Sequence, residues 1–183
     1  MNTAITVSFV ETVTDKHPKA RELSVSDFWA MLSRPQVRSE KKGRGVIPGK
    51  FKNGNGKAAK DLDRLYLFPA DVDNKDGTVQ LTFDAAVDRL KEYGHFIHTS
   101  FSHSEQRDKF RVYLTLSRPI TGDEYARLFP AVNRELFGGA LDSSGSAGAH
   151  LYFLPSCPED KLHLFRCGCV EGKSLDVDAL MAN

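Results

Sequence analysis

Leu65-Tyr-Leu-Phe-Pro-Ala-Asp-Val-Asp73 is an apolar run that ends on two carboxylates. Side chains alternate along an extended chain, so Tyr66, Phe68, Ala70 and Val72 share one face and pack inward, while Leu65, Leu67, Asp71 and Asp73 share the other. Pro69 has no N–H to give a ladder, which implies an edge position or a bulge there. Carboxylates at i and i+2 of a strand project from one face, one pleat repeat apart, and divalent cations between them relieve their repulsion. Two-metal sites use such pairs to clamp the attacking and leaving oxygens of phosphoryl or nucleotidyl transfer. A bare Asp-x-Asp also occurs at solvated strand ends, so its surroundings decide.

Upstream, Ile5, Val7 and Phe9 alternate with Thr6 and Ser8 and predict a first strand. A helix over 24–32 follows, with Ser24 as N-cap, Asp27 in the first turn, and Phe28 and Leu32 on one face until Pro35 closes it. From Gln36 to Lys60, Gly, Lys and Asn leave no periodicity, and the segment reads as a long loop. Downstream, Phe83, Ala86, Val87 and Leu90 follow the spacing of an amphipathic helix. A β-hairpin is expected next, with arms at 95–103 and 109–116 and a polar turn at 104–108. Thr121-Gly-Asp-Glu124 is a capping box, ahead of a stripe of Tyr125, Leu128, Phe129, Val132 and Leu136. Asp142 lies in a Gly/Ser/Ala stretch over 138–149. Short strands are expected at 151–154 and 162–166, and a helical turn at 176–181. With no internal repeat and no second core, this order of elements predicts one α+β domain over residues 1–183.

The chain has 183 residues, 40% hydrophobic and 27% charged, the composition of an ordinary globular protein rather than a disordered or fibrous one. Its net charge of +1 hides a segregation. From Arg34 to Lys60, nine basic side chains face Glu40 alone, a net +8 in 27 residues, which leaves −7 on the rest. A basic loop on an acidic body suits contact with a polyanion at one place and metal ions at another, although a charge run is as often a solvated loop. Three cysteines, Cys157, Cys167 and Cys169, make no disulfide framework, and no apolar run reaches membrane-spanning length. A reducing cytoplasm and no membrane partner are expected.

Several motifs fail on spacing. Placing Gly77 at position 6 of an EF-hand loop puts Val72 at position 1 and Phe83 at position 12, where a carboxylate is required. Before Gly56-Lys57 a P-loop needs glycine where Phe51 stands, and Ala58 occupies the Ser/Thr position. His95 and His98, three apart on a strand, point to opposite faces and cannot share an ion. Cys157, His163, Cys167 and Cys169 lack a zinc-knuckle spacing, so zinc is not expected and buried free thiols are. In the hairpin, a five-residue turn over Ser104 to Asp108 sets His103 opposite Lys109 with Arg111 on the same face. That group reads either as a triphosphate site or as an exposed polar hairpin.

Together, Asp71-Val-Asp73, His98-Thr-Ser-Phe-Ser-His103, the Phe110–Pro119 strand, Leu141-Asp142 and Leu151-Tyr-Phe-Leu-Pro155 resemble, in order and spacing, the primase-polymerase branch of the archaeo-eukaryotic primase superfamily. The likeness runs from the loop before Leu65 to Pro155. It implies a mainly antiparallel sheet like that of the RNA-recognition fold, packed helices and an added N-terminal α/β unit. It further implies Asp71, Asp73 and Asp142 as ligands of two Mg²⁺ or Mn²⁺ ions, and His103 as a contact to nucleotide phosphates. Lys109 and Arg111 are expected to assist it, with Ser102 a candidate hydroxyl. Phe101 stands where many relatives carry the serine of Ser-x-His, and His150 where relatives often carry an arginine.

The activity so implied is template-directed nucleotidyl transfer, either primer synthesis or DNA polymerisation, in replication of a phage, plasmid or mobile element. Its partners would be a single-stranded DNA template, NTPs or dNTPs, and a helicase or primer-handling subunit or domain. Arg44, Lys50, Lys52 and Lys57 of the basic loop are the expected nucleic-acid contacts. Two other readings stay open: a non-catalytic single-strand-binding or initiator module with the same fold, and a metal-dependent nuclease using the same carboxylates.

Overall fold

A computed structural model describes residues 3–52 and 58–182; Lys57 lies outside them. Its centre is a five-stranded antiparallel sheet of β5 (Gly49–Phe51), β6 (Leu62–Val72), β7 (His95–Thr99), β8 (Phe110–Ile120) and β11 (Cys167–Val170), in spatial order β11-β7-β8-β6-β5. A second sheet has the order β2 (Lys19–Ser24), β1 (Ala4–Val10), β4 (Gly45–Ile47), β9 (Tyr152–Phe153). Two short parallel strands, β3 (Gln36–Val37) and β10 (Ser156–Cys157), tie the loop after the first helix to the segment after β9. The helices are α1 (Val25–Leu32), α2 (Phe83–Leu90), α3 (Gly122–Phe137) and α4 (Val177–Ala182). This is the α+β architecture expected.

Helix starts follow the cap residues. The Ser24 and Thr82 side chains accept from the Asp27 and Ala85 amides, and Thr121 and Glu124 form the reciprocal box. One core cluster lies between the central sheet and α2, α3 and α4, built on Phe68, Ala70, Val72, Ile97, Val112 and Leu128. A second, contrary to expectation, fills the other face, where Trp29 stacks on Phe96 and the Phe28 edge meets Tyr113. The central strands therefore bury both faces, which is why β6 reads as a nearly continuous apolar run.

Tyr66 and Leu65 depart from the predicted faces. Pairing of β6 with β8 slips between Leu65 and Leu67, so Leu65 joins the Phe68 cluster and Tyr66 packs against the other. Pro69 sits on a local edge: β5 covers β6 only as far as Leu65, and the freed Pro69 carbonyl accepts from the Tyr125 hydroxyl at 2.8 Å.

The segment over 36–60 is not one loop, since it holds β3, β4 and β5. Its glycines are points of close approach: a Cβ on Gly49 would lie 2.4 Å from the Arg64 carbonyl oxygen, and one on Gly45 2.5 Å from Leu151. The first hairpin arm is shorter than expected, ending at Thr99, and the second is longer, running on to Ile120, with His98 opposite Arg111 and Thr99 opposite Phe110. That pairs Ile97 with Val112 and leaves residues 100–109 as a ten-residue loop, so Lys109 meets His103 inside the loop and Arg111 sits outside it. Residues 162–166 are not a strand either: a 3-10 helix covers Glu159–Leu164, and the edge strand β11 begins at Cys167. Cys157 is buried, whereas Cys167 and Cys169 are exposed on β11. Among the described residues no helix is long and apolar enough to cross a membrane.

Candidate active site

The three expected carboxylates come from the end of β6 and from the turn after α3, two segments whose backbones are bridged. Asp71 and Asp73 flank Val72, the last residue of β6, and an isolated bridge from Val72 to Leu141 brings in Asp142. The approach of Asp142 follows from the end of α3. Gly138 and Gly139 both adopt left-handed backbone (φ 63° and 91°), which turns the chain back toward the sheet. There the Leu141 amide donates to Asn133 Oδ1, and the Asp142 amide donates to the Asp71 carbonyl at 2.8 Å.

Each carboxylate already faces a cation. Arg111, directly across the ladder, donates through Nε to Asp71 Oδ1 at 3.1 Å and through Nη1 to the Phe153 carbonyl at 2.7 Å, with its guanidinium over the Tyr152 ring. Burial opposes the charge of Arg111, but Asp71 outweighs it and the group stays cationic. Lys109 Nζ donates to Asp73 Oδ1 at 2.7 Å. Lys75 Nζ donates to Asp142 Oδ2 at 2.6 Å and lies 3.6 Å from Asp73 Oδ2. Burial pushes both carboxyls up, yet Lys109 and Lys75 at Asp73, and Lys75 with the Ser144 amide at Asp142, hold both below the usual aspartate range.

His103 is buried in the loop that closes β7 onto β8. Ser100 donates its amide to the Lys109 carbonyl, His103 donates its own to Ser100, and the Lys109 amide reaches His103 Nδ1 at 3.3 Å. Accepting at Nδ1 leaves the neutral imidazole's proton on Nε2. Burial lowers the pKa of this histidine, Asp108 opposes the shift and Arg166 adds to it. Ser102 is exposed in the same loop. His98 is fully buried beside Arg111, and burial drives its pKa down to about 3, so it is neutral.

Sequence reasoning passed over four residues of this site. Lys75 was part of a rejected EF-hand match. Asn74, at φ 44°, staples the turn after Asp73: its buried amide bonds Leu81 N, Leu81 O and the Asp108 carbonyl. Asp108 takes the Phe83 amide at the start of α2 and lies 3.5 Å from His103 Nδ1. Arg166, bonded through its backbone to Thr99, pairs with Asp84 and covers the Phe83 ring. The Asn-Lys-Asp-Gly turn text was the available signal for the first two.

The expected nucleic-acid contacts are scattered. Arg44 pairs with Glu11 at 3.0 Å. Lys50 and Lys52 are exposed near the start of β6, where Lys50 faces Arg64. Nine residues of extended chain separate Arg64 from Asp73, about 30 Å at ~3.3 Å per residue, so these lysines stand at the far end of β6 from the carboxylates.

Three carboxylates offer the hard oxygen donors that Mg²⁺ or Mn²⁺ takes. Among the described residues no cluster of three such groups is drawn together. Asp73 and Asp142 nonetheless share one cation, the Lys75 ammonium, so the donor set fits a divalent ion between them.

A carboxylate-tipped central strand, backed on one face by helices and on the other by a small second sheet, defines an α+β fold of the primase-polymerase type. The AEP domain of the cyanophage S-2L primase-polymerase is similar to it, with a TM-score of 0.54 at 10% sequence identity, covering 97% of this chain and 88% of that one. The chain belongs to the VapE N-terminal domain family, whose profile matches residues 1–183. No curated protein matches it.

Proposed function

We propose that this domain catalyses template-directed nucleotidyl transfer in the replication of a phage, plasmid or other mobile element. The observation that carries the reading is the backbone bridge that sets Asp142 beside Asp71 at the rim of the central sheet, where Asp142 and Asp73 share the Lys75 ammonium. Asp71, Asp73 and Asp142 would hold two Mg²⁺ or Mn²⁺ ions. Bound there, the ions would lower the pKa of a primer 3′-hydroxyl and neutralise the departing pyrophosphate.

The chain's own groups do the rest. Lys109, 17% exposed at its side chain, lies between Asp73 and the His103 loop, where its ammonium can turn from carboxylate to phosphate. His103, protonated on Nε2, is a neutral hydrogen-bond donor for a phosphate oxygen, and Ser102 adds an exposed hydroxyl. Arg111 fixes Asp71 by a buried pair and offers its remaining N–H groups to the same phosphates. Arg44, Lys50, Lys52 and Lys57 would contact the template phosphates without reading sequence. NTPs or dNTPs are the substrates, single-stranded DNA the template, and a helicase or primer-handling unit the partner.

One observation favours the non-catalytic alternative: Lys75, Lys109 and Arg111 already neutralise all three carboxylates. Primer synthesis on single-stranded DNA with NTPs or dNTPs and Mn²⁺ separates the two. Incorporation by the wild type and its loss in Asp71→Asn/Asp73→Asn are expected. Wild-type synthesis by the double variant, or strand binding with no incorporation under either metal, sinks the catalytic reading, and strand degradation without nucleotide selects a nuclease.

A further inference from the structure

The three cations at the site are not equivalent. Arg111 is pinned, with its side chain 9% exposed, bonded to Asp71 and to the Phe153 carbonyl and roofed by Tyr152. Lys75 is pinned only at its root. Its carbonyl accepts from the Thr78 amide, the Thr78 hydroxyl and Gln80 Nε2, and Asn74 before it is locked by three hydrogen bonds, two of them buried. Beyond that root the side chain is 54% exposed, and its ammonium is the group that Asp73 and Asp142 share. Asp73, Lys75 and Asp142 themselves line an open cavity of about 180 Å³, together with Thr78, Gly139 and Ser143.

We infer that Lys75 is a tethered counter-cation: it stands in for a divalent ion between Asp73 and Asp142, keeps the two carboxylates facing each other while no ion is bound, and withdraws when one arrives. Asp73 and Asp142 are therefore the residues that would hold the first ion. Asp71, still held by Arg111, is not needed for that step and serves the second ion. This rests on the metal-binding reading of the site given above.

An ion that enters must displace a resident charge, so its apparent affinity is lowered by what the Lys75 contacts contribute. For a partly exposed ion pair that amounts to about fivefold in affinity. Lys75 is thus a positioning residue whose removal strengthens ion binding, the opposite of the effect of removing a ligand.

The test is Mn²⁺ binding to the whole chain, without nucleotide, followed by the loss of the free-Mn²⁺ electron-paramagnetic signal. Circular dichroism checks that each variant is folded. Lys75→Met is expected to bind Mn²⁺ about fivefold more tightly than the wild type, and Lys75→Arg about as the wild type does. Asp142→Asn should lose the tight site and Asp71→Asn should keep it. Arg107→Met, which removes a cation paired with Asp76 in the same turn, controls for net charge and should change affinity less than twofold. Equal or weaker binding by Lys75→Met, or a matching gain in Arg107→Met, overturns the inference while the metal site stands. Binding that ignores both Asp73→Asn and Asp142→Asn overturns the metal reading itself, and the inference with it.

Discussion

Truncating Asp71 should cost stability as well as activity, and the size of that cost follows from what it leaves behind. The Asp71 side chain is 21% exposed and that of Arg111 9%, so Asp71→Ala strands a nearly buried guanidinium. Breaking a fully buried pair costs about 3–5 kcal/mol, mostly the penalty of the uncompensated charge. Arg111 keeps its bond to the Phe153 carbonyl and its place over Tyr152, and Asp71 is partly wet, so about 2–3 kcal/mol is expected. Asp71→Asn retains an acceptor for Arg111 Nε and should lose about 1 kcal/mol. Asp71→Ala/Arg111→Met removes both charges and should recover most of the loss, a coupling that a double-mutant cycle reads directly. The assay is urea unfolding followed by circular dichroism in a chelating buffer, so that no ion contributes. In a chain of this length the alanine variant should also melt roughly 4–12 °C lower on heating. An alanine variant as stable as the wild type, or a double variant less stable than either single one, would refute the view that Arg111 is held by Asp71. The asparagine variant is accordingly the fairer probe of catalysis.

Three further outcomes follow from the same geometry. Asp73 and Asp142 have folded-state pKa values below their unfolded ones, so their stabilisation is fully present above the unfolded value near 3.8 and is lost as pH falls through the lower folded values. Urea midpoints measured from pH 5 down to 2.5 should show that loss and show less of it in Lys75→Met; an identical slope in the variant contradicts the assignment. Gly49→Ala forces a Cβ against the rigid Arg64 carbonyl oxygen and should destabilise by about 1–3 kcal/mol in the same assay, whereas a neutral effect would mean that β5 does not pack on β6 as described. Asn74→Ala removes the staple on the turn after Asp73, so amide exchange at Leu81 should accelerate strongly while that of Val112, deep in β8, stays slow; unchanged protection at Leu81 would show the staple to be idle.

The sequence was most legible where the cause of structure is local. Ser24 and Thr121 cap helices because a side-chain oxygen meets an amide three residues on, and that pattern is written in the sequence. The carboxylates of Asp71 and Asp73 were readable for the same reason, since alternation on one strand sets their face. What stayed hidden depends on partners far along the chain. Val46 and Ile47 form a buried strand only because β1 and β9 lie on either side of it, and the glycines beside them read as loop punctuation when they are points of contact. The hairpin register was misjudged because a polar ten-residue loop carries no pattern, and Val112 chose Ile97 over Ser100 for burial. Lys75 escaped because a lone lysine in a turn announces nothing until Asp142 arrives from 67 residues away.

Charge gives the site a further logic. Among Asp71, Asp73, Asp142, Lys75, Lys109 and Arg111, three negative charges meet three positive ones, so the metal-free site is neutral. A neutral, self-paired site neither attracts a polyphosphate strongly nor repels the backbone of a nucleic acid. One divalent ion added while all three cations remain tethered takes the same six groups to +2, and a second to +4. On the proposed reading each ion would raise the attraction for a nucleoside triphosphate, and Lys75, then Lys109, would be free to turn toward its phosphates. Ion and nucleotide binding should therefore be coupled in both directions: Mn²⁺ raises affinity for dNTP, and dNTP raises affinity for Mn²⁺ by the same factor. In Lys75→Met the metal-free site already carries −1, so nucleotide binding without ions should weaken, and with no lysine for the ion to release the coupling factor should shrink. Titrating a fluorescent dNTP into the wild type and Lys75→Met, with and without Mn²⁺, measures both quantities, and equal coupling in the two proteins would show that Lys75 takes no part in the exchange.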